Sequence, residues 1–203
     1  MGTAELRIMT AEEYLAWENK QETKHEFLNG MVYDVYGMTG ACDTHVTVTL
    51  NVASLLRNHL RGSSCRIYIS DMKLQVKSAD AFFYPDIFVT CDDRDRTSDY
   101  HKSFAKLIVE VLSPSTADYD RGSKFAAYRK IESFQEYVLI DTARRSIDLF
   151  RLDASGHWVL YPSEGEATVE FASVGLTVAM ADIFEDVGSD IKQTPHRPAL
   201  EKP

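Results

Sequence analysis

Two acidic residues in strongly apolar surroundings are the main chemical clue in this sequence. Glu110 is the only polar residue in the run 107–112, and a short run of Val, Ile and Leu is typical of a buried strand. Asp86 begins a second apolar run, 86–89. A carboxylate is rarely buried without a partner, because desolvation of the charged form is costly. Glu110 must therefore meet a metal ion, another cation or a proton.

A divalent cation between the two acids is one way to satisfy both. If their strands are neighbours in register, Asp86 and Glu110 lie about 5 Å apart on one face, where two ionised carboxylates repel each other. Oxygen ligands of this kind favour Mg²⁺ or Mn²⁺, which activate water and stabilise charge on phosphate oxygens. Two simpler interpretations remain open: Asp86 is a solvent-exposed turn residue, and Glu110 forms a salt bridge with a core Arg or Lys.

The elements that position these acids follow from local patterns. Thr10 and Glu13 form a capping box for a helix over about 10–19, and Asn29-Gly30 predicts a hairpin with strands near 25–28 and 31–36. Next in chain order we predict a helix from Asp43 or Thr44 to about Arg61 and strands near 65–69 and 72–77. The two acid-bearing strands follow, with an exposed and mobile loop over 91–103 between them. The last part of the chain should contain a helix from Asp118 or Asp120 to about Lys130, strands over 135–140, 147–152, 158–161 and 169–171, and a short helix over 181–184. This order predicts an α/β or α+β fold with a mixed sheet, and not a doubly wound one.

Length and composition bound the class of protein. The 203 residues predict a single domain over 1–188, followed by a flexible Pro-containing tail over 189–203. No apolar run approaches the length of a membrane-spanning helix. The net charge of −9 does not favour broad attraction to nucleic acid, which depends on Lys and Arg at phosphates. A local basic patch or a bound divalent metal would change that balance.

The three cysteines are Cys42, Cys65 and Cys91. They are odd in number, widely spaced and without a C-x-x-C motif, which argues against a disulfide framework and a zinc knuckle. This pattern fits a reducing compartment, and the chain opens without a basic-then-apolar leader. We therefore expect a cytoplasmic protein with reduced cysteines.

Several motifs in a fixed order resemble one protein family. The motifs are Tyr84-Pro85-Asp86-Ile87, residues 108–116, Asp120-Arg121-Gly122-Ser123-Lys124 and Tyr128-Arg129-Lys130-Ile131. In this order they resemble the Uma2 family (also called DUF820) of restriction-endonuclease-like proteins, within the PD-(D/E)xK nuclease superfamily. The similarity also includes residues 25–30, His45 and Ser70-Asp71-Met72, and it covers roughly residues 10–185.

The resemblance implies a fold, an activity and a set of site residues. The fold would be a restriction-endonuclease-like mixed sheet flanked by helices, and the activity would be metal-dependent hydrolysis of DNA phosphodiester bonds, with a homodimer as the expected assembly. Asp86 and Glu110 would bind Mg²⁺ or Mn²⁺. One departure matters: Leu112 stands where the superfamily pattern has Lys. In this family the lysine comes from the following helix, so Lys124 would orient the attacking water and offset phosphate charge.

Other residues have a functional and a structural interpretation. Glu26 resembles the N-terminal acid that completes such sites, or it is a surface charge of the hairpin. Lys124 is otherwise an exposed residue paired with Asp120 at i,i+4. His45 is more typical of a structural helix-start histidine, and Asp71 of a turn residue. A catalytically inactive nuclease-fold interaction or regulatory module is the alternative function, and the geometry of the acids and Lys124 distinguishes the two.

Overall fold

The computed structural model of the chain describes residues 8–35 and 42–188. The helices are α1 (Ala11–Glu18), α2 (Asp43–His59), α3 (Ala117–Tyr119), α4 (Phe125–Tyr128) and α5 (Met180–Ile183), with a π-helical turn, Asp120–Lys124, between α3 and α4. The strands are β1 (His25–Leu28), β2 (Met31–Asp34), β3 (Arg66–Ile69), β4 (Lys73–Val76), β5 (Ala81–Phe83), β6 (Ile87–Thr90), β7 (His101–Lys102), β8 (Ala105–Leu112), β9 (Glu136–Asp141), β10 (Ser146–Leu152), β11 (Trp158–Glu164), β12 (Thr168–Phe171) and β13 (Leu176–Ala179).

The strands form two larger sheets and one separate hairpin. The five-stranded sheet has the order β2-β1-β5-β4-β7, the six-stranded sheet has the order β11-β10-β9-β8-β6-β3, and β12 pairs with β13. The pairs β4–β7 and β8–β9 are parallel, whereas the other pairs in these two sheets are antiparallel. Mixed sheets flanked by helices confirm the predicted α+β class.

Strand β8 lies inside the six-stranded sheet and has a separate apolar core on each face. Val109 and Val111 belong to a core that α2 covers through Val48 and Val52. Ile108 and Leu112 belong to a second core, which includes Tyr128 of α4. Because side chains alternate along a strand, Glu110 projects from the same face as Ile108 and Leu112. The sequence therefore places this carboxylate beneath the α3–α4 segment.

The N-terminal elements agree with the local signals. Thr10 caps α1: its hydroxyl accepts a hydrogen bond from Glu13 N at 3.2 Å, and Thr10 N donates to Glu13 Oε2 at 2.8 Å. Asn29 and Gly30 have φ values of +49° and +85°, the backbone of a type I′ hairpin turn. Helix α2 differs in its start: Cys42 occupies the capping position without a side-chain hydrogen bond, and Asp43 is already helical.

The segment 91–103 is more ordered than its composition predicts. It contains a short helical turn, Asp93–Thr97, and strand β7. Asp95 and Lys102 are buried. Asp95 Oδ2 accepts from Thr90 Oγ1 at 2.6 Å, and Asp95 Oδ1 accepts from Ser103 N at 2.7 Å. Most of the segment is exposed or half-buried, as predicted, but Asp95 and Lys102 are buried because main-chain and side-chain donors and acceptors pair with them inside the fold.

The predictions for the C-terminal part of the chain are confirmed only in part. The helix predicted over 181–184 is α5, and β13 was not predicted. The predicted tail, 189–203, and residue 36 of the predicted second strand lie outside the described residues, and the single domain over 1–188 stays a prediction. In the described part of the chain, no helix has the length and apolarity to cross a membrane.

The cysteine prediction was wrong. Cys65 and Cys91 form a disulfide, and Cys42 is free and exposed. Arg66 pairs with Thr90 across β3 and β6, so the two cysteines lie next to each other at the end of that strand pair. The two cysteines are 26 positions apart. At this separation no local motif indicates the pairing, which depends on the pairing of β3 with β6. The cytoplasmic location stays a prediction.

Reduction of this disulfide should lower the free energy of unfolding. Closing a loop over a separation of 26 residues stabilises a fold by about 3.5 kcal/mol in the chain-entropy model. We expect one reactive thiol per denatured chain without reductant and three after reduction, together with a lower urea midpoint in the reduced protein. A Cys42→Ser variant is the control, because it should show no thiol before reduction. Three reactive thiols in air-purified protein would contradict the pairing.

Candidate active site

The two predicted acids meet where β6 and β8 pair. Ile87 lies opposite Val109 in this antiparallel pair, and one more step along the register places Asp86 beside Glu110. Asp86 N donates to Glu110 Oε2 at 3.3 Å, and Val111 N donates to Asp86 Oδ2 at 2.8 Å. The predicted neighbourhood of the two acid-bearing strands is therefore confirmed. The main chain holds one oxygen of each carboxylate and so fixes their orientation.

Lys124 reaches back over the strand and contacts three carboxylates. Its Nζ lies 3.1 Å from Glu110 Oε1, 3.3 Å from Glu26 Oε1 and 3.2 Å from Asp120 Oδ1. Lys124 ends the π-helical turn that begins at Asp120, and such turns occur frequently at functional sites. The i,i+4 pair with Asp120 exists, but it is buried and belongs to a larger cluster. The interpretation of Lys124 as an exposed surface residue was wrong.

Burial controls the protonation of this cluster. The side chains of Glu110 and Lys124 are only 4% and 9% exposed. Burial, with the nearby carboxylates of Asp120, Asp86 and Glu26, raises the pKa of Glu110 to about 8, although Lys124 opposes the shift. Burial alone would lower the pKa of Lys124, but the Glu110 and Glu26 carboxylates raise it well above its usual value. Lys124 is therefore a permanent cation.

His45 and Asp86 lie at the solvent-reachable side of the cluster. Their side chains are each 21% exposed, and His45 Nε2 lies 3.4 Å from Asp86 Oδ2. The hydrogen bond to Asp86 raises the pKa of His45, against the lowering by burial. His45 therefore has a direct partner at the site, in addition to its place in the first turn of α2. A ligand entering from solvent meets Asp86 first and Glu110 behind it.

Glu26 lies in the cluster and is not a surface charge of the hairpin. It projects from β1 of the five-stranded sheet and is buried. Burial raises the pKa of Glu26, and the Lys124 ammonium opposes the shift. Asp71, by contrast, is exposed and forms an ion pair with Lys24 in the turn between β3 and β4. The structure therefore brings Asp86, Glu110, Lys124 and Glu26 together and leaves Asp71 as a turn residue.

Three further residues of the cluster were not predicted as site residues. Tyr128 donates its hydroxyl to Glu110 Oε1 at 3.0 Å. The Tyr119 ring centre lies 5.9 Å from Lys124 Nζ, and Asp120 contributes the third carboxylate around Lys124. A signal was available: residues 120, 124 and 128 recur at intervals of four, which places them on one side of a helix.

The two carboxylates suit Mg²⁺ or Mn²⁺, which also take water and substrate oxygens as ligands, better than a metal ion whose ligands all come from the protein. Within residues 8–35 and 42–188, no three His, Cys, Asp or Glu side chains are arranged to hold a metal ion. Mg²⁺ is usually bound through one or two carboxylates, with waters and substrate oxygens completing its shell. Asp86 and Glu110 supply two such carboxylates.

The charge balance of the cluster and one carboxylate oxygen without a hydrogen bond also favour a bound cation. Four carboxyl groups (Glu26, Asp86, Glu110 and Asp120) face one lysine and one histidine, so full ionisation would leave negative charge in excess, in line with the raised pKa values of Glu110 and Glu26. Asp120 Oδ1 is enclosed and accepts no hydrogen bond, although the Lys124 ammonium is near it. An additional positive charge in this cluster would lower the repulsion among the carboxylates.

Comparison with known proteins places the chain in a family. The model of the Uma2 family, described as "Putative restriction endonuclease", matches residues 11–181. The uncharacterized protein slr1290 of Synechocystis sp. is 38% identical over 176 residues, which cover 87% of this chain and 91% of that protein. The uncharacterized protein sll1609 of the same organism is 33% identical over 175 residues, or 85% of this chain and 97% of that protein.

A solved structure has the same fold. It is the crystal structure of "a putative nuclease belonging to DUF820" from Anabaena variabilis, with a TM-score of 0.71 and 16% sequence identity, and the match covers 87% of this chain and 97% of that one. The likeness at this identity concerns the fold. The family match over most of the chain, together with the two relatives, shows that this chain belongs to the Uma2 family.

Proposed function

We propose that this protein is a metal-dependent nuclease that hydrolyses phosphodiester bonds of DNA. The observation that carries the proposal is the convergence of Asp86, Glu110 and Lys124 on one cluster whose Asp86 side reaches solvent. Family membership supports the reaction class. Paired acids can hold a divalent metal, which activates water and stabilises charge on phosphate oxygens, and a lysine beside them adds a second positive charge.

Each residue has a role that follows from its contacts. Asp86 and Glu110 would hold Mg²⁺ or Mn²⁺, and such an ion would supply an activated water and a positive charge beside the phosphate. Lys124 is fixed by Glu110 and Glu26, so its ammonium is oriented before substrate arrives and would direct the water toward phosphorus. Glu26 keeps Lys124 in place and is a positioning residue.

An inactive nuclease-fold module is the second candidate function. The observation that favours it is the enclosure of Lys124, whose ammonium is already surrounded by three carboxylates. In that case the cluster would be a buried ionic network that holds β1, β8 and the α3–α4 segment together. The homodimer expected from the resemblance stays a prediction under either function.

Metal titration with a cleavage assay tests the proposal. We expect Mn²⁺ and Mg²⁺ to bind in calorimetry and to support cleavage of supercoiled plasmid DNA, and chelation by EDTA to abolish the cleavage. Linear duplex, single-stranded DNA and RNA should be tested in parallel, because the cluster does not define the form of the nucleic acid. Metal binding without cleavage of any of these would favour the inactive module. Absence of metal binding would contradict the two-carboxylate site.

A further inference from the structure

Lys73 is a buried lysine for which the described part of the chain provides no ionic partner. It is 7% exposed in β4, and among the described residues none forms an ion pair or a side-chain hydrogen bond with its ammonium. The fully enclosed, unpartnered side-chain atoms of the described residues are Asp120 Oδ1 and Ser173 Oγ, so the Lys73 ammonium retains contact with solvent. Buried charges are normally paired. An ammonium of this kind is therefore available to an anion from outside the chain.

A second lysine and an aromatic ring lie near Lys73. The Nζ atoms of Lys73 and Lys24 each lie 5.6 Å from the centre of the Tyr84 ring. Lys24 Nζ also donates to Ser70 O at 3.2 Å and pairs with the exposed Asp71. Because Asp71 offsets the charge of Lys24, Lys73 supplies the positive charge at this ring that no described carboxylate pairs with, and Lys24 lies at the same ring.

Glu18, the acid whose charge acts on Lys73, already has other donors. Glu18 Oε1 accepts from Tyr84 Oη at 2.8 Å and from His25 N at 2.9 Å, and Glu18 Oε2 lies 3.0 Å from His25 Nδ1. Glu18 therefore attracts Lys73 only at a distance. Burial lowers the pKa of Lys73, and Glu18 partly opposes this, as expected for an ammonium that has lost water without gaining an anion.

The lysine pair is connected to the candidate active site through the main chain. Tyr84 N donates to Glu26 Oε1 at 3.5 Å, and Tyr84 precedes Asp86 by two residues. Ser70, whose carbonyl holds Lys24, donates its N–H to Asp86 O at 3.1 Å. Leu74 packs in the core beneath α4, so Lys73 projects from the opposite face of β4. The pair thus lies beside the acids but outside their cluster.

We propose that Lys73 and Lys24 form a phosphate-binding subsite beside the catalytic cluster. The inference rests on the proposed function, in which the bound group is a backbone phosphate that flanks the one being hydrolysed. Lysine binds phosphate as a point charge without reading the base. This subsite supplies the local positive charge that an acidic chain needs in order to hold a nucleic acid.

The salt dependence of binding tests the subsite. We compare the wild type with Lys73→Met, which keeps the aliphatic stem, by fluorescence anisotropy of a labelled DNA duplex with EDTA present. Loss of one phosphate contact should weaken binding about tenfold and reduce the slope of log Kd against log salt concentration by about 0.9. Lys73→Arg, which keeps the charge, should retain most of the affinity.

Lys77→Met is the matched control. Lys77 is exposed, follows β4 directly and loses the same charge; we expect its affinity to stay within twofold of the wild type. The proposed subsite would be overturned if Lys73→Met and Lys77→Met bound the DNA duplex with equal affinity and equal salt slope. Circular dichroism and thermal melts of each variant establish that Lys73→Met is folded, so that weak binding reports the lost contact.

Amine labelling of the wild-type protein tests the same subsite without a variant. Lys73 should be acetylated faster than the ion-paired Lys124, and DNA or inorganic phosphate should protect it, as read by peptide mass spectrometry. Protection by phosphate in a protein that neither binds nor cleaves nucleic acid would support the anion site and contradict the proposed function. Absence of protection by both ligands would overturn the inference.

Discussion

Replacing Asp86 with Asn is expected to abolish metal binding and to lower the rate of DNA cleavage at least about a thousandfold. A catalytic metal contributes several kcal/mol of charge stabilisation, and about 4 kcal/mol corresponds to a thousandfold change in rate. The amide oxygen of Asn can still accept the hydrogen bond from Val111 N, which Asp86 Oδ2 accepts at 2.8 Å. The fold should therefore persist, and the loss should report the missing charge.

Asp99→Asn is the matched control for this experiment. Asp99 is exposed in the segment before β7, and the acid-to-amide change is the same. We expect its metal affinity and cleavage rate to remain near those of the wild type. Calorimetry and plasmid cleavage should be measured on both variants and on the wild type. Unchanged metal binding in Asp86→Asn would rule out this carboxylate as a ligand.

Lys124→Met should destabilise the fold and remove activity together. The change leaves the buried carboxylates of Glu26, Glu110 and Asp120 without their common cation. Removing one partner of a buried ionic cluster costs about 3–5 kcal/mol. Urea unfolding at neutral pH measures this loss, and cleavage should fall at least about a hundredfold under conditions where the variant is folded.

The destabilisation by Lys124→Met should depend on pH. The pKa of Glu110 is already raised to about 8 with Lys124 present, and loss of the ammonium raises it further. A carboxyl that stays protonated in the folded state but ionises on unfolding favours the unfolded state as the pH rises above its usual value. Glu110 is protonated in both folded proteins up to about pH 8, so its contribution to the stability deficit should stay constant from pH 5 to 7 and should increase above pH 8.

Lys130→Met is the control for the lysine change. Lys130 is exposed just beyond α4, and a surface lysine contributes little to stability. We expect its unfolding free energy to stay within about 0.5 kcal/mol of the wild type. A Lys124→Met variant as stable as Lys130→Met at every pH would contradict the ionic cluster around Lys124.

Features that depend on near neighbours along the chain could be predicted from the residues alone. The Asn29-Gly30 turn requires two residues that tolerate positive φ, and Thr10 with Glu13 forms a cap within one helical turn. The apolar run around Glu110 predicts a buried strand with a charge that needs a partner. These signals are local, so adjacent positions are enough to recognise them. The predicted proximity of Asp86 and Glu110 requires one further assumption, that their two strands are neighbours in the sheet.

Which distant groups meet depends on the packing of the two sheets. Glu26 reaches Lys124 from a strand of the other sheet, and Asp120 contacts the same lysine from the start of the π-helical turn. The burial of Asp95, the bond between Cys65 and Cys91 and the ammonium of Lys73, which has no ionic partner among the described residues, were equally hidden. Such contacts join residues that are far apart in sequence, and neither periodicity nor residue type specifies which of many partners the packing of two sheets brings within reach.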